Sequence, residues 1–209
     1  MKILFLTDSL ALPRTEVGKK ISIHDTYFEC LKKQCPQHQF TLVAIGGATI
    51  LDLYKQVFYY KVLEADLVFL QCGIVDCAPR AFTSRETKFL TKTGLFNIFK
   101  PMVKGLRKYR GHKYTKPKKF QHYLSSIQND LKPARLYSIG ILPASEEYEK
   151  KIPGIAKSIH NYNSILEKNS ILINTADFPM NGILSDHHHL NAIGHEIIFE
   201  KIKKIIDAI

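Results

Sequence analysis

Strand-like and helix-like segments alternate along this chain, and the alternation predicts an α/β architecture built on a mainly parallel, five-stranded sheet. Five runs, KILFL (2–6), FTLVAI (40–45), DLVFLQC (66–72), RLYSIGIL (135–142) and SILINT (170–175), are short and almost continuously apolar, as strands covered on both faces are. Five longer segments, at 24–34, 48–64, 120–131, 154–169 and 191–209, carry apolar residues at i, i+3, i+4 spacing, the stripe of a helix that packs one face on a core. Ligands of such sheets bind beyond the carboxyl ends of the strands, and Ser9 lies just beyond the first.

With 209 residues, 45% of them hydrophobic, the chain is long enough to bury a full core and short enough to read as one domain over 1–209. No apolar run reaches the length of about 18 residues that a membrane span needs. The N-terminal MKILFLTDSLALPR has one lysine and only four apolar residues before Thr7 and Asp8, which does not fit a signal peptide; a cytoplasmic protein is expected. Cys30, Cys35, Cys72 and Cys77 form two C-x4-C pairs, a spacing that fits neither a zinc knuckle nor a disulfide framework, so they are read as reduced and structural.

The formal charge of +11 is unevenly spread. KPMVKGLRKYRGHKYTKPKK, residues 100–119, is rich in cations and contains no acid. Just upstream, Leu95, Phe96, Ile98 and Phe99 add apolar residues, so 95–119 reads as a basic insertion or lid suited to a phosphate-bearing donor or an anionic membrane surface. A solvated loop without a ligand is the competing reading. No nucleic-acid-binding motif accompanies the charge, so nucleic acid is not an expected partner.

A strand that delivers a serine after Thr7 and Asp8 raises the question of a nucleophile, which needs a base, an orienting carboxylate and oxyanion donors. SDHHHLNAIGHE, residues 185–196, supplies two of these. Asp186 precedes His189 by three positions, and in a tight turn this spacing sets a carboxylate beside Nδ1 and leaves Nε2 free to accept a proton. The run His187, His188, His189 invites a metal reading as well, but consecutive side chains seldom converge from a regular backbone, and no metal is expected. His195 is expected to cover a core edge, and His24 and His160 to be structural or substrate-facing.

These blocks together resemble the SGNH, or GDSL-type, hydrolases. The family's Gly-Asp-Ser-Leu is matched by Thr7-Asp8-Ser9-Leu10, its second block by IGGAT at 45–49, and its last block by Asp186, His189, Asn191 and Gly194 in register. The resemblance spans nearly the whole chain and implies a flavodoxin-like three-layer α/β/α sandwich, a catalytic Ser9-His189-Asp186 triad, and an oxyanion hole made by the Ser9 and Gly47 amides. It also implies substrate contacts among Asp8, Arg14, Gly46, Val75, Asp76, Arg80 and Asn161. One block departs: where the family has Gly-x-Asn-Asp, this chain has Gly73-Ile74-Val75-Asp76, so Val75 replaces a side-chain oxyanion donor. Arg80, Asn161 and Asn163 are the candidates to replace it, and for Arg80 a salt bridge to Asp76 or a nearby acid is the alternative.

The chemistry implied is acyl transfer without a cofactor, on a small-molecule or glycan acyl ester. Hydrolysis gives an esterase or deacylase; interception of the acyl group by a sugar hydroxyl or amine gives an acyltransferase. The GIVD block is similar to that of members associated with surface-polysaccharide synthesis. A non-catalytic module that binds acylated glycans is the alternative from another class.

Overall fold

The computed structural model describes residues 1–16, 19–20 and 22–209. Five parallel strands form the central sheet: β1 (Lys2–Thr7), β4 (Gln39–Ala44), β5 (Leu67–Gln71), β6 (Arg135–Ile139) and β7 (Ile171–Ile173), in the order β4-β1-β5-β6-β7. A two-stranded antiparallel ribbon, β2 (Thr15–Glu16) with β3 (Lys19–Lys20), follows the first strand and was not expected from the sequence. The sheet order is that of the flavodoxin-like fold, whose direction of winding reverses next to the first strand.

The helices are α1 (Tyr27–Gln34), α2 (Ile50–Tyr60), α3 (Ile74–Cys77), α4 (Ser84–Lys92), α5 (Phe96–Phe99), α6 (Val103–Arg110), α7 (Pro117–Asp130), α8 (Glu146–Lys151), α9 (Ile155–Asn169) and α10 (Ala192–Asp207). Helix α1 packs on α10, while α2 packs on α7 and α7 on α9, so helices cover both faces of the sheet in three layers. This is why β1 and β5 are apolar at nearly every position: Ile3, Leu4, Phe5 and Leu6, and Leu67, Val68, Phe69 and Leu70, are all buried. Phe5 and Phe69 stack across the pair with ring centroids 4.9 Å apart, and Phe69 stacks in turn on Tyr137 of β6 at 5.4 Å.

Local chemistry sets the ends of these elements. Thr49 caps α2 by accepting from Asp52 N, and Asp52 answers by accepting from Thr49 N at 3.0 Å, a capping box. The β6 run ends at Ile139 rather than 142 because the side-chain amide of Asn163 captures the next backbone groups. It accepts from Ile141 N at 2.8 Å and donates to Ile141 O at 2.9 Å, taking the place of a strand neighbour. The basic stretch at 95–119 contains the short helices α5 and α6 and the first residues of α7. No helix among the described residues is long and apolar enough to cross a membrane.

Candidate active site

Asp8 explains why the chain turns so sharply after β1. Its backbone N–H still pairs in the manner of the sheet, donating to Gln71 O at 2.9 Å, while its side-chain Oδ1 accepts from Leu10 N at 3.0 Å. The second bond caps a 3-10 turn over Ser9–Ala11, so Ser9 leaves the sheet at the crevice beside β5 where the winding direction reverses.

Across the crevice the C-terminal turn is folded on itself before α10. Leu184 N donates to His189 O at 2.8 Å, His187 N donates to Leu184 O at 2.9 Å, and His187 takes a left-handed φ of 72°. Asn191 caps α10 by accepting from Gly194 N at 3.0 Å. Gly194 is required there because a Cβ would collide with the carbonyl oxygen of Gly182, which itself accepts from Asn191 N at 3.1 Å.

The result is a series of hydrogen bonds, buried at Ser9 and His189 and partly exposed at Asp186. Ser9 Oγ lies 2.8 Å from His189 Nε2, and His189 Nδ1 lies 2.6 Å from Asp186 Oδ2. The carboxylate fixes the tautomer: Nδ1–H donates to Asp186, so Nε2 is left as acceptor for the Ser9 hydroxyl. Asp186 Oδ1 also accepts from His188 N at 3.1 Å and His189 N at 3.0 Å. Partial burial would raise this carboxyl, but the His189 side chain and the two backbone donors outweigh it and hold the group far below the ordinary 3.8. Asp186 is thus a firm anion, able to stabilise a positive imidazolium on His189. Ser9 and His189 are each only 5% exposed, which limits solvent screening of that interaction.

Three residues that sequence reasoning did not single out as site residues line the crevice next to this series: Leu142, Ile141 and Tyr148, together with Leu10, Cys72 and His188. The space is about 10 Å³, room for about one water. Tyr148 stacks on the rings of both His187 and His188, at 5.8 and 5.9 Å. The signal for the first two was their place at the carboxyl end of a predicted strand, at the same sheet edge as Ser9.

Several expectations are corrected. Asp8 and Asp76 are fully buried, and each carboxyl is engaged by backbone N–H groups, Leu10 N for Asp8 and Ile50 N for Asp76. Asp76 accepts from Ile50 N through both oxygens at 3.2 and 3.1 Å, tying the first turn of α2, and with it the Gly46-Gly47 loop, to α3. Asp76 therefore forms no salt bridge with Arg80. Arg80 instead lays its guanidinium over the Tyr114 ring at 4.4 Å and pairs by backbone with His112. Asn163 is committed to Ile141, and Asn161 is exposed on α9, so neither is positioned at Ser9. Val75 is half-buried and packs against the core. His195 is not at an edge but 1% exposed in the interior, where Nδ1 accepts from Tyr27 N and burial lowers its pKa to about 4. His24 and His160 are both exposed.

The histidine run also converges more than its spacing suggests. Asp186, His188 and His189 bring ligand atoms within 4.8 Å of one another, because the left-handed His187 turns the chain back and both following rings reach Asp186. In this arrangement His189 Nδ1 and Asp186 Oδ2 are already spent on each other. The four cysteines are free, and burial pushes the Cys77 thiol up to about 12, which makes it a poor nucleophile. Gly46 and Gly47 are both exposed beyond β4, and Gly47 has the positive φ of 70° that favours glycine.

Arg14 is the one expected substrate contact that reaches the series itself: its Nη2 lies 2.6 Å from His189 Nε2.

No protein-family model and no curated protein matches the chain by sequence. Solved structures do. A lipase/acylhydrolase from Enterococcus faecalis superposes with a TM-score of 0.70 at 13% identity, covering 99% of this chain and 95% of its own. A member of the lipolytic protein G-D-S-L family from Veillonella parvula gives 0.63 at 12% identity, over 100% and 99% of the two chains. The chain has the GDSL hydrolase fold. An acetyl xylan esterase, AlAXEase, shares this GDSL fold with a TM-score of 0.65 and 17% identity, over 99% of this chain and 100% of that one.

Proposed function

We propose that the protein is a serine esterase or deacylase that forms an acyl-enzyme on Ser9. The observation that carries this reading is the hydrogen-bonded series from Ser9 Oγ through His189 to Asp186, at 2.8 and 2.6 Å. In this reading Ser9 attacks an ester carbonyl while His189 Nε2 takes its proton, and Asp186 stabilises the resulting imidazolium. The Ser9 and Gly47 amides donate to the oxyanion. Collapse expels the alcohol, which leaves with the proton from Nε2. Water then attacks the acyl-enzyme by the same route in reverse. A sugar hydroxyl in place of water makes the product an acylated sugar, so the same residues serve an acyltransferase.

The narrow crevice favours a short acyl group such as acetyl, and an acetyl xylan esterase among the proteins of this fold supports a carbohydrate ester. A phosphate-bearing substrate is supported by the charges of Arg80, which lies over Tyr114, and Arg107, which donates to Lys151 O; both act on Tyr148 of the crevice wall. Each keeps a buried Nε without a hydrogen-bond partner, and among the described residues neither forms an ion pair with a carboxylate. Burial and the nearby Arg80 charge lower the pKa of Arg107. On this reading α4 to α6, which carry Arg107, form the lid over the substrate.

Treatment with a fluorophosphonate tests the proposal. A stoichiometric adduct on Ser9, lost in His189→Ala, is the expected result. A folded protein that binds acylated glycans yet gives no adduct is a binding module.

A further inference from the structure

Arg14 occupies the place where the alcohol of the ester has to be. Its Nη2 is 2.6 Å from His189 Nε2, the same atom that faces Ser9 Oγ at 2.8 Å. With Nδ1–H donating to Asp186, Nε2 has a single lone pair to offer, and a guanidinium can only donate. Arg14 and Ser9 therefore compete for the base. The same nitrogen must accept the Ser9 proton and then hand it to the departing alkoxide, so the position beside Nε2 that Ser9 does not fill is that of the leaving-group oxygen. In the second half of the reaction it is the position of the incoming hydroxyl.

Arg14 is placed to leave. It lies three residues beyond the turn that carries Ser9, so its side chain can swing without moving the nucleophile. Among the described residues no carboxylate forms an ion pair with it. The nearby Asp8 feels the Arg14 charge but is fully buried, and burial pushes its carboxyl up to about 7, which makes it a weak counter-ion. An anion on the substrate meets no such cost, because a charge-assisted bond to a partly exposed guanidinium is short and strong.

We infer that Arg14 reads an anionic group, phosphate or carboxylate, on the alcohol side of the ester, and that its contact with His189 is a latch that this anion releases. The inference rests on the reading of Ser9 as the acylated nucleophile. It assigns the charge to the leaving group or acceptor, not to the acyl group.

Three acetyl esters test it: phenyl acetate, 4-acetoxyphenyl phosphate and 4-acetoxybenzoate, with acetate release measured for the parent protein, Arg14→Ala and Arg14→Lys. Arg14→Ala is expected to lower kcat/KM for one or both charged esters by about tenfold or more and to raise it for phenyl acetate, because the latch is gone. The charged ester that loses more identifies phosphate or carboxylate as the group read. Arg14→Lys is expected to retain part of the preference. An equal loss on all three esters, or no change on any, overturns the inference. Fluorophosphonate labelling of the same proteins separates the two levels. A labelled Ser9 with charge-blind hydrolysis overturns the latch alone, and an unlabelled Ser9 in the parent overturns the acyl-enzyme reading and the latch with it.

Discussion

Asp186 and His189 meet through one side-chain bond of 2.6 Å and one backbone bond of 3.0 Å, so the carboxylate holds both the ring and the peptide that carries it. Orientation and tautomer of the base are thereby set within a single turn. Removing that carboxylate should be severe, though less so than removing the base. Asp186→Asn is expected to lower kcat for a short-chain aryl ester by about 10³–10⁴-fold, and Ser9→Ala and His189→Ala to abolish turnover with the fold intact by circular dichroism. His187→Ala and His188→Ala should be milder, and a metal chelator should have no effect. Parent-level activity in Ser9→Ala would sink the assignment.

Val75→Asn tests the departure in the third block. Asn163 is held by Ile141, Asn161 is exposed and Arg80 lies on Tyr114, so none of the candidates from the sequence is positioned to fill the vacant donor role. A side-chain amide at position 75 is expected to raise ester hydrolysis, by up to about a hundredfold. Steady-state kinetics on phenyl acetate read the change, and a neutral or harmful outcome would mean that another donor already serves the oxyanion.

The buried carboxyl of Asp8 predicts an unusual pH dependence of stability. Burial raises its pKa from 3.8 to about 7, so the folded state holds a proton that the unfolded chain releases near pH 4. The stabilisation is fully present below that unfolded value and is lost as pH rises through about 7. His195 acts in the opposite sense: its pKa is lowered from 6.5 to about 4, and its contribution is present above 6.5 and lost as pH falls towards 4. Asp8→Asn keeps an acceptor for Leu10 N and removes the titration. Thermal unfolding between pH 5 and 8 should therefore show a smaller loss of Tm with rising pH in Asp8→Asn than in the parent. Parallel curves for the two proteins would contradict the assignment.

Helices α4 to α6 and the short segments between them expose Phe89, Leu95, Ile98, Met102 and Tyr109 among lysines, a mixed surface suited to an anionic interface. Sedimentation with vesicles containing anionic lipid is expected to show binding that weakens as salt rises. Ile98→Glu with Met102→Glu should abolish it. Equal binding to neutral vesicles would remove the anionic preference, and binding to neither kind would leave this surface without a membrane role.

What the sequence alone determined is what depends on near neighbours. The apolar runs of β1 and β5 announce buried parallel strands because their burial on both faces leaves no polar position. Ser9 just past the apolar run of β1 announces a side chain at the carboxyl edge of the sheet, and Asp186 three residues before His189 announces an oriented base. Each is a relationship over a few residues, and each appears in the structure with the geometry its spacing implies. The tertiary structure decided the rest. Asp76 looked like a substrate contact or an arginine's partner, yet it tethers α2, which only the packing of α3 against that helix could bring about. Ile141 and Leu142 looked like strand and became crevice wall, because an amide 22 residues away captured the backbone of Ile141. Arg14 and His189, 175 positions apart, meet because β1 and the turn before α10 open onto the same edge of the sheet. Periodicity and spacing report the free energy of local conformation and burial, while a contact between distant side chains depends on how whole layers pack, and no local pattern encodes that.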